Sequence, residues 1–213
     1  MMLFLTLLSG LAWTLVYTDA IRVGFRDATY AIPIAALALN FAWEAIYAVH
    51  GLTEPFAAQT VVNIVWALAD TVIVYTYVRF GRSEFSQFVS RAMFVGWGVL
   101  FFVASFVVQW LFVVEFDWEL APRYAAFLQN LLMSGLFIAM FVARRGLRGQ
   151  SLLIAVAKWV GTLAPTILFG VIEGSPFILG IGLLCSVFDV VYIGLVLRAT
   201  MGSLRLVAGA NQR

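Results

Sequence analysis

Long apolar runs alternate with short polar connections along the whole chain. Seven runs reach the roughly 20 residues that a helix needs to cross a bilayer; they cover 2–21, 29–50, 59–79, 91–114, 122–143, 151–171 and 177–198. The connections are Arg22 to Asp27, Gly51 to Ala58, Phe80 to Ser90, Glu115 to Ala121, Arg144 to Gln150 and Ile172 to Pro176. None is large enough to fold alone. The pattern predicts an all-α polytopic membrane protein, one seven-helix bundle spanning 1–213. Residues 2–21 carry no basic flank, and no small-residue cleavage site precedes a soluble domain, so no cleavable signal peptide is expected.

Composition strengthens that reading. Hydrophobic residues make up 63% of the 213 and charged residues 11%, against about 25% charged in a soluble domain. The basic residues fall on one set of connections. Arg22 and Arg26 lie between runs one and two; Arg79, Arg82 and Arg91 between three and four; Arg144, Arg145 and Arg148 between five and six; Arg198, Arg205 and Arg213 after seven. The alternate connections hold only Arg123, with Glu54, Glu115, Asp117, Glu119 and Glu173. Positive connections stay cytoplasmic, so the N-terminus is expected outside, the C-terminus in the cytoplasm, and the protein in the cell membrane. With the arginines so placed, the net charge of +2 gives no reason to expect a nucleic-acid partner. Membrane lipid is the expected surrounding, and oligomeric state is left open.

Acids inside apolar runs are the next signal. An ionised carboxylate in hydrocarbon costs roughly 2.5 kcal/mol or more, so Glu44, Asp70 and Asp189 are expected to be paired, protonated or at work. Asn40, Glu44 and Tyr47 follow one helical face. Counting from the outer ends places these acids, with Asn63, Gln109, Gln129 and Asn130, about 6–18 Å deep. Such a layer suggests a cavity opening outward, or amides that hold helices together. Aromatic rings crowd the same layer: Trp43 and Tyr47 flank Glu44, Trp66 precedes Asp70, and Phe188 and Tyr192 bracket Asp189. Ring faces hold cations, by about 2 kcal/mol where water is excluded, though Trp and Tyr also form interfacial belts, which suits Trp118 and Tyr124.

Other residues suit quieter roles. Cys185 and His50 are single, which excludes an internal disulfide and a clustered zinc site. Lys158 is expected to snorkel to the cytoplasmic side, Asp19 to pair with Arg22, Gly180 and Gly182 to pack closely, and His50 to end a helix in solvent. Asp70–Arg79 and Asp189–Arg198 repeat one spacing, either as a parallel three-plus-one-plus-three repeat or as two helices sharing an acid and an interfacial Arg.

Asn40-Phe41-Ala42-Trp43-Glu44, Gln129-Asn130-Leu131-Leu132-Met133-Ser134 and the late Asp189 resemble the paxilline- and pyripyropene-type membrane terpene cyclases. The likeness extends over nearly the whole chain in length and span number, and the Asn-Phe-x-Trp-Glu run is its most specific part. It implies a bacterial member acting on prenylated aromatic, meroterpenoid-type substrates, the prenyl chain being farnesyl on an aromatic or indole group. The family's two essential acids map to Glu44 and Asp189. The implied reaction is a class II-type cyclisation: an acid protonates a terminal olefin or epoxide, and successive double bonds quench the cation. An apolar bundle favours the neutral form of a carboxyl, and a second carboxyl can share its proton.

Glu44 and Asp189 are thus the expected catalytic pair. Asn40, Trp43, Tyr47, Trp66, Asp70, Gln129, Asn130 and Tyr192 are expected to line the substrate, with Asp70 or Asn40 orienting an acid and Trp43, Trp66 and Tyr192 cradling the cation. No DDxxD or DxDD run occurs, so neither metal nor cofactor is expected. The rival expectation is a proton-coupled or SWEET-like carrier; against it, the Pro-Gln motif and paired mid-membrane helix breakers are missing.

Overall fold

A computed structural model describes residues 1–85 and 87–210, with side chains placed through residue 202. Arg213 and the side chain of Arg205, two of the basic residues after the last run, lie outside the described residues. The elements are α1 (Met2–Arg26), α2 (Ile34–Thr53), α3 (Ala58–Phe80), a 3-10 turn (Gly81–Glu84), α4 (Arg91–Arg144), α5 (Leu152–Pro165), a π-helical continuation (Thr166–Ile172) and α6 (Pro176–Ala210). Every regular element among the described residues is helical, and six helical stretches are long and apolar enough to cross a membrane.

Six stretches stand where seven runs were expected, and the difference lies in α4. The fourth and fifth runs join in one stretch of 54 residues. A straight helix of that size would extend about 80 Å, far beyond a hydrocarbon core of about 30 Å. Asp117 interrupts it, with φ 57° and ψ −177°, a backbone region that costs a non-glycine residue about 1–3 kcal/mol. Its carboxylate accepts from the N–H groups of Glu119 at 2.8 Å and Leu120 at 3.3 Å, which caps the start of the second arm. The two arms then fold back on each other. Gln109 donates to Gln129 at 2.7 Å across 20 residues of sequence, a separation that would be about 30 Å along a continuous helix.

The helices close into a ring in which α2 packs on α3 and α4, α4 on α6, α6 on α5, α5 on α1 and α1 on α3. Periodicity explains which faces turn inward. In α1 the buried residues Trp13, Val16, Tyr17, Ala20 and Val23 recur at helical spacing. Of these, Trp13, Val16, Tyr17 and Ala20 meet Leu37, Ile73, Met133, Phe137, Ile154 and Tyr192 in one core. By contrast the first arm of α4 leaves Val95, Val99, Leu100, Val103 and Leu111 more than half exposed, as a lipid-facing helix does.

Three connections gather at one end. Glu84 bridges Arg144 at 3.4 Å and Arg148 at 3.3 Å, and the Gly149 N–H donates to Asp27 at 2.8 Å. A Cβ on Gly149, at φ 70°, would stand 2.4 Å from the Arg144 guanidinium, so this turn requires glycine. Hydrogen bonding from Arg26 holds the Asp27 carboxyl below its ordinary range. At the other end Arg123 pairs with Glu173 at 2.6 Å.

Several smaller expectations are resolved. Asp19 does pair with Arg22, at 2.6 Å, and also accepts from Ser151. Gly182 is a close-packing position, where a Cβ would meet Thr166 at 2.2 Å, whereas Gly180 has nothing within 4 Å. His50 stacks on Trp118 with centroids 3.8 Å apart rather than standing free in solvent.

Candidate functional site

The inward face of α2 sets one turn between Asn40 and Glu44, and this pair organises a buried polar cluster. The Asn40 amide nitrogen lies 3.0 Å from Glu44 Oε1 and 3.0 Å from Asp70 Oδ2, and also reaches the Tyr17 hydroxyl. An amide nitrogen carries two hydrogens, so these three acceptors compete for two bonds. Tyr17 in turn donates to Glu44 Oε1. Behind Asn40, its carbonyl oxygen accepts from Gln129 at 3.2 Å, and Gln129 accepts from Gln109. Elements α1, α2, α3 and both arms of α4 therefore each supply a member. Glu44 is 1% exposed and Asp70 fully buried. Glu44 Oε2 and Asp70 Oδ1 have no hydrogen-bond partner, and among the described residues no basic side chain pairs with either acid.

A second cluster joins α5, α6 and the second arm of α4. The Lys158 ammonium donates to Ser134 Oγ at 2.6 Å and to the two Asp189 oxygens at 2.8 and 3.0 Å. All three of its donors are thereby engaged. Neither Lys158 nor Asp189 is more than 1% exposed. The expected snorkelling of Lys158 is thus corrected: a counter-charge inside the bundle holds it more favourably than a stretched path to the surface. Ser134 and Gln129 share the second arm, five residues or about 7.5 Å of helix apart, so the clusters are neighbours along the membrane normal.

The expected pair, Glu44 and Asp189, is distributed between these clusters. The carboxyl held beside Glu44 is Asp70, and the ionic partner of Asp189 is Lys158. Asn40, Asp70 and Gln129 join Glu44 directly. Trp66 packs on Tyr17 with centroids 5.6 Å apart, placing its ring against the same cluster. Trp43 donates to the Pro122 carbonyl at 3.0 Å and packs at a tilt against Tyr47, with centroids 4.9 Å apart. Both belong to a satellite core with Val113 and Ala121 at the hairpin end, and the buried Tyr47 hydroxyl has no partner. Tyr192 donates to Gln150 at 2.8 Å and packs on Phe137, 5.2 Å away. Asn130, one residue past Gln129, turns to another face, its buried Oδ1 without a partner.

Sequence reasoning passed over Tyr17 and the pairing of Lys158. Tyr17 carries a signal, being the hydroxyl on the Trp13–Val16–Tyr17–Ala20 face. Lys158 shows none that separates a buried ion pair from an interfacial lysine.

Chemically, the first cluster can hold and deliver a proton between two acids, and the second presents a charge-paired carboxylate. A family model described as Pyr4-like transmembrane terpene cyclases matches residues 1–172. The chain is similar to the Pyr4-family terpene cyclase mfmH of Annulohypoxylon moriforme, 32% identical, covering 78% of this chain and 68% of that one. Terpene cyclase pyr4 of Aspergillus fumigatus is 25% identical, with 88% and 82% covered. Terpene cyclase cle7 of Aspergillus versicolor is 30% identical, with 76% and 68% covered. These relatives are fungal. No solved structure matches.

Proposed function

Because the chain belongs to the Pyr4-like transmembrane terpene cyclase family, we propose that Glu44 starts its cyclisation by protonating a prenyl chain carried on an aromatic group. The carrier alternative falls away with that membership. The observation that carries the site assignment is the Asn40 amide bridging the Glu44 and Asp70 carboxyls, with no cation bonded to either among the described residues. Two such carboxyls are suited to share and release one proton.

Cyclisation is an isomerisation, so the proton delivered to an olefin carbon or an epoxide oxygen must be matched by one lost from elsewhere in the substrate. That requirement calls for an acid and a base. Glu44 transfers its proton to the terminal olefin or epoxide, Asp70 and Asn40 orient it, and Tyr17 donates to the carboxylate left behind. The cation migrates as successive double bonds close rings. Asp189, held as a carboxylate by Lys158 and Ser134, balances the charge of the migrating cation, and the Glu44 carboxylate takes back the proton that ends the cascade, which restores the acid. Trp66 is the aromatic face best placed against the acid cluster, and cation–aromatic attraction of about 2 kcal/mol in a dry site supports that role. Water exclusion by the bundle prevents early capture.

Two finer readings accompany this. The arms of α4 are taken as separate spans, which makes seven, and the Arg-rich end as cytoplasmic, which leaves the N-terminus outside. Glu54→Cys and Arg148→Cys, each in a Cys185→Ala background, should label from opposite sides of sealed membranes.

The experiment that tests the function incubates membranes containing the protein with farnesyl-aromatic compounds, plain and epoxidised. A product of unchanged mass and new retention time is expected. Its absence for every substrate with confirmed expression would remove the prenyl-aromatic assignment.

A further inference from the structure

Gln129 stands one hydrogen bond, and Gln109 two, behind the amide that bonds the acids. Together they close a loop that begins and ends on α2. Gln109, on the first arm of α4, donates to the Leu39 backbone carbonyl at 3.3 Å and to Gln129 Oε1 at 2.7 Å. Gln129, on the second arm, donates to Asn40 Oδ1 at 3.2 Å. The Asn40 nitrogen then donates to Glu44 Oε1 and Asp70 Oδ2, each at 3.0 Å. All three amides are buried.

Every bond in this loop points the same way. A primary amide keeps its shape when turned end for end, yet its oxygen only accepts and its nitrogen only donates. Its direction must come from a neighbour with one fixed role. The Leu39 carbonyl is that neighbour, since it can only accept, and it requires a nitrogen from Gln109. Gln109 therefore meets Gln129 with an N–H, so Gln129 offers its oxygen there and its nitrogen to Asn40. Asn40 in turn offers its oxygen to Gln129 and its nitrogen to the acids. Turning any one amide would set oxygen against oxygen or N–H against N–H, and unpaired polar groups are costly in a buried site.

A donor fixed on the acids decides where their proton sits. In a neutral carboxyl one oxygen carries the hydrogen and the other is a carbonyl that accepts. Glu44 Oε1 accepts from both Asn40 and the Tyr17 hydroxyl, which occupies its two lone pairs. It is thus the carbonyl oxygen, and the hydrogen falls to Oε2, which has no hydrogen-bond partner among the described residues. We propose that Gln129 and Gln109 are positioning residues that, through Asn40, keep the transferable proton on Glu44 Oε2, the oxygen free to meet the substrate. The inference rests on Glu44 being the acid of the cyclase and adds what aims it. Asp70 is held alike: Oδ2 accepts from Asn40 and Oδ1 is without a partner. Were Asn40 free to turn, its oxygen would face Glu44 Oε1, draw the hydrogen to that side and present the substrate with a carbonyl.

Methionine approximates the shape of glutamine and carries no amide, so Gln129→Met, Gln109→Met and the double change provide the test. The double change removes both partners of the bond between the arms, a replacement that can be nearly neutral to folding. With a farnesyl-aromatic substrate, Gln129→Met is expected to lower kcat by about tenfold, the scale of a lost hydrogen bond to a charged group. KM should stay the same, since no contact to substrate is removed. Gln109→Met, one bond further back, should lower kcat by less. An unchanged kcat with reduced thermal stability would make the amides mere glue between the arms and overturn the proposal, as would failure of the double variant to fold. A second readout needs no substrate. The infrared carbonyl band of the neutral Glu44 carboxyl, recognised as the band lost in Glu44→Gln, should move to higher frequency in Gln129→Met, as a carbonyl that loses a donor does. In an Asn40→Leu protein Gln129→Met should move it no further, because the effect travels through Asn40. A missing band, a band unmoved by Gln129→Met, or one moved again in the Asn40→Leu background would each refute the assignment. Wild-type protein that makes no product from any prenyl-aromatic compound would end the cyclase reading alone, and the infrared outcome would still decide which Glu44 oxygen holds the proton.

Discussion

The two buried acid sites differ in one respect, the presence of a cation. Around Glu44 and Asp70 the partners are a phenol and amides, neutral groups that can bond either form of a carboxyl. Around Asp189 the partner is a lysine with every donor committed, which fits only the ionised form. A buried carboxylate with a matched counter-ion is fixed in one state, whereas a carboxyl among neutral donors can change state. Proton transfer belongs to the second kind of environment and charge balance to the first. On the second arm of α4 the two lie five residues, about one and a half helical turns, apart, so in the proposed reaction one substrate is served by both.

The sharpest way to break this contrast is Glu44→Gln, which keeps shape and hydrogen bonding but removes the transferable proton. Product formation should fall by about 10²–10⁴-fold, the usual scale for a general acid, with membrane insertion unchanged. Turnover near wild type would move the acid role elsewhere. Next in size is Lys158→Met. Leaving Asp189 buried without its partner should destabilise the protein by about 3–5 kcal/mol, and the double change Lys158→Met with Asp189→Leu should restore most of it. Thermal unfolding in detergent reads both. If the double variant were no more stable than the single, the ion pair would not be the source of the loss.

A finer test is Tyr17→Phe, which removes one donor to Glu44 while Asn40 remains. Cyclisation is expected to drop by about tenfold, in line with about 1.5 kcal/mol for a hydrogen bond to a charged group. The mildest change is Arg148→Ala, at the polar end of the bundle where its side chain is 48% exposed. Loss of that bridge to Glu84 should cost no more than about 1 kcal/mol, and activity should stay as it is. A large effect there would show that the loop end, and not only the bundle interior, shapes the site.

Much of this was legible in the chain. Apolar run length marked the helices, since the bilayer sets a minimum span, and the cost of burying acids marked Glu44, Asp70 and Asp189. The i,i+4 relation of Asn40 and Glu44 needed only helical geometry. Partnerships across helices were less accessible. Depth alone put Asp70 and Asp189 in one layer with Glu44, but which of them turns toward it depends on helix rotation and neighbour order, and periodicity fixes neither across six connections. Tyr17 could be placed on the buried face of α1, but which helix its hydroxyl meets depends on the same rotation and neighbour order. Lys158 misled because four methylenes can reach either an interface or a neighbour. In α4 two separate spans were expected and one stretch of 54 residues is found; the near absence of a loop was not foreseen, because one residue outside helical geometry suffices to reverse the chain.

That single reversal at Asp117 also marks where the chain could be divided. A break in the peptide there would leave one fragment carrying Glu44 and Asp70 and another carrying Lys158 and Asp189. Neither piece would own a complete reaction. Activity recovered on co-expressing the two would then report reassembly of the halves, making Asp117 a natural seam for building a two-component version of the enzyme.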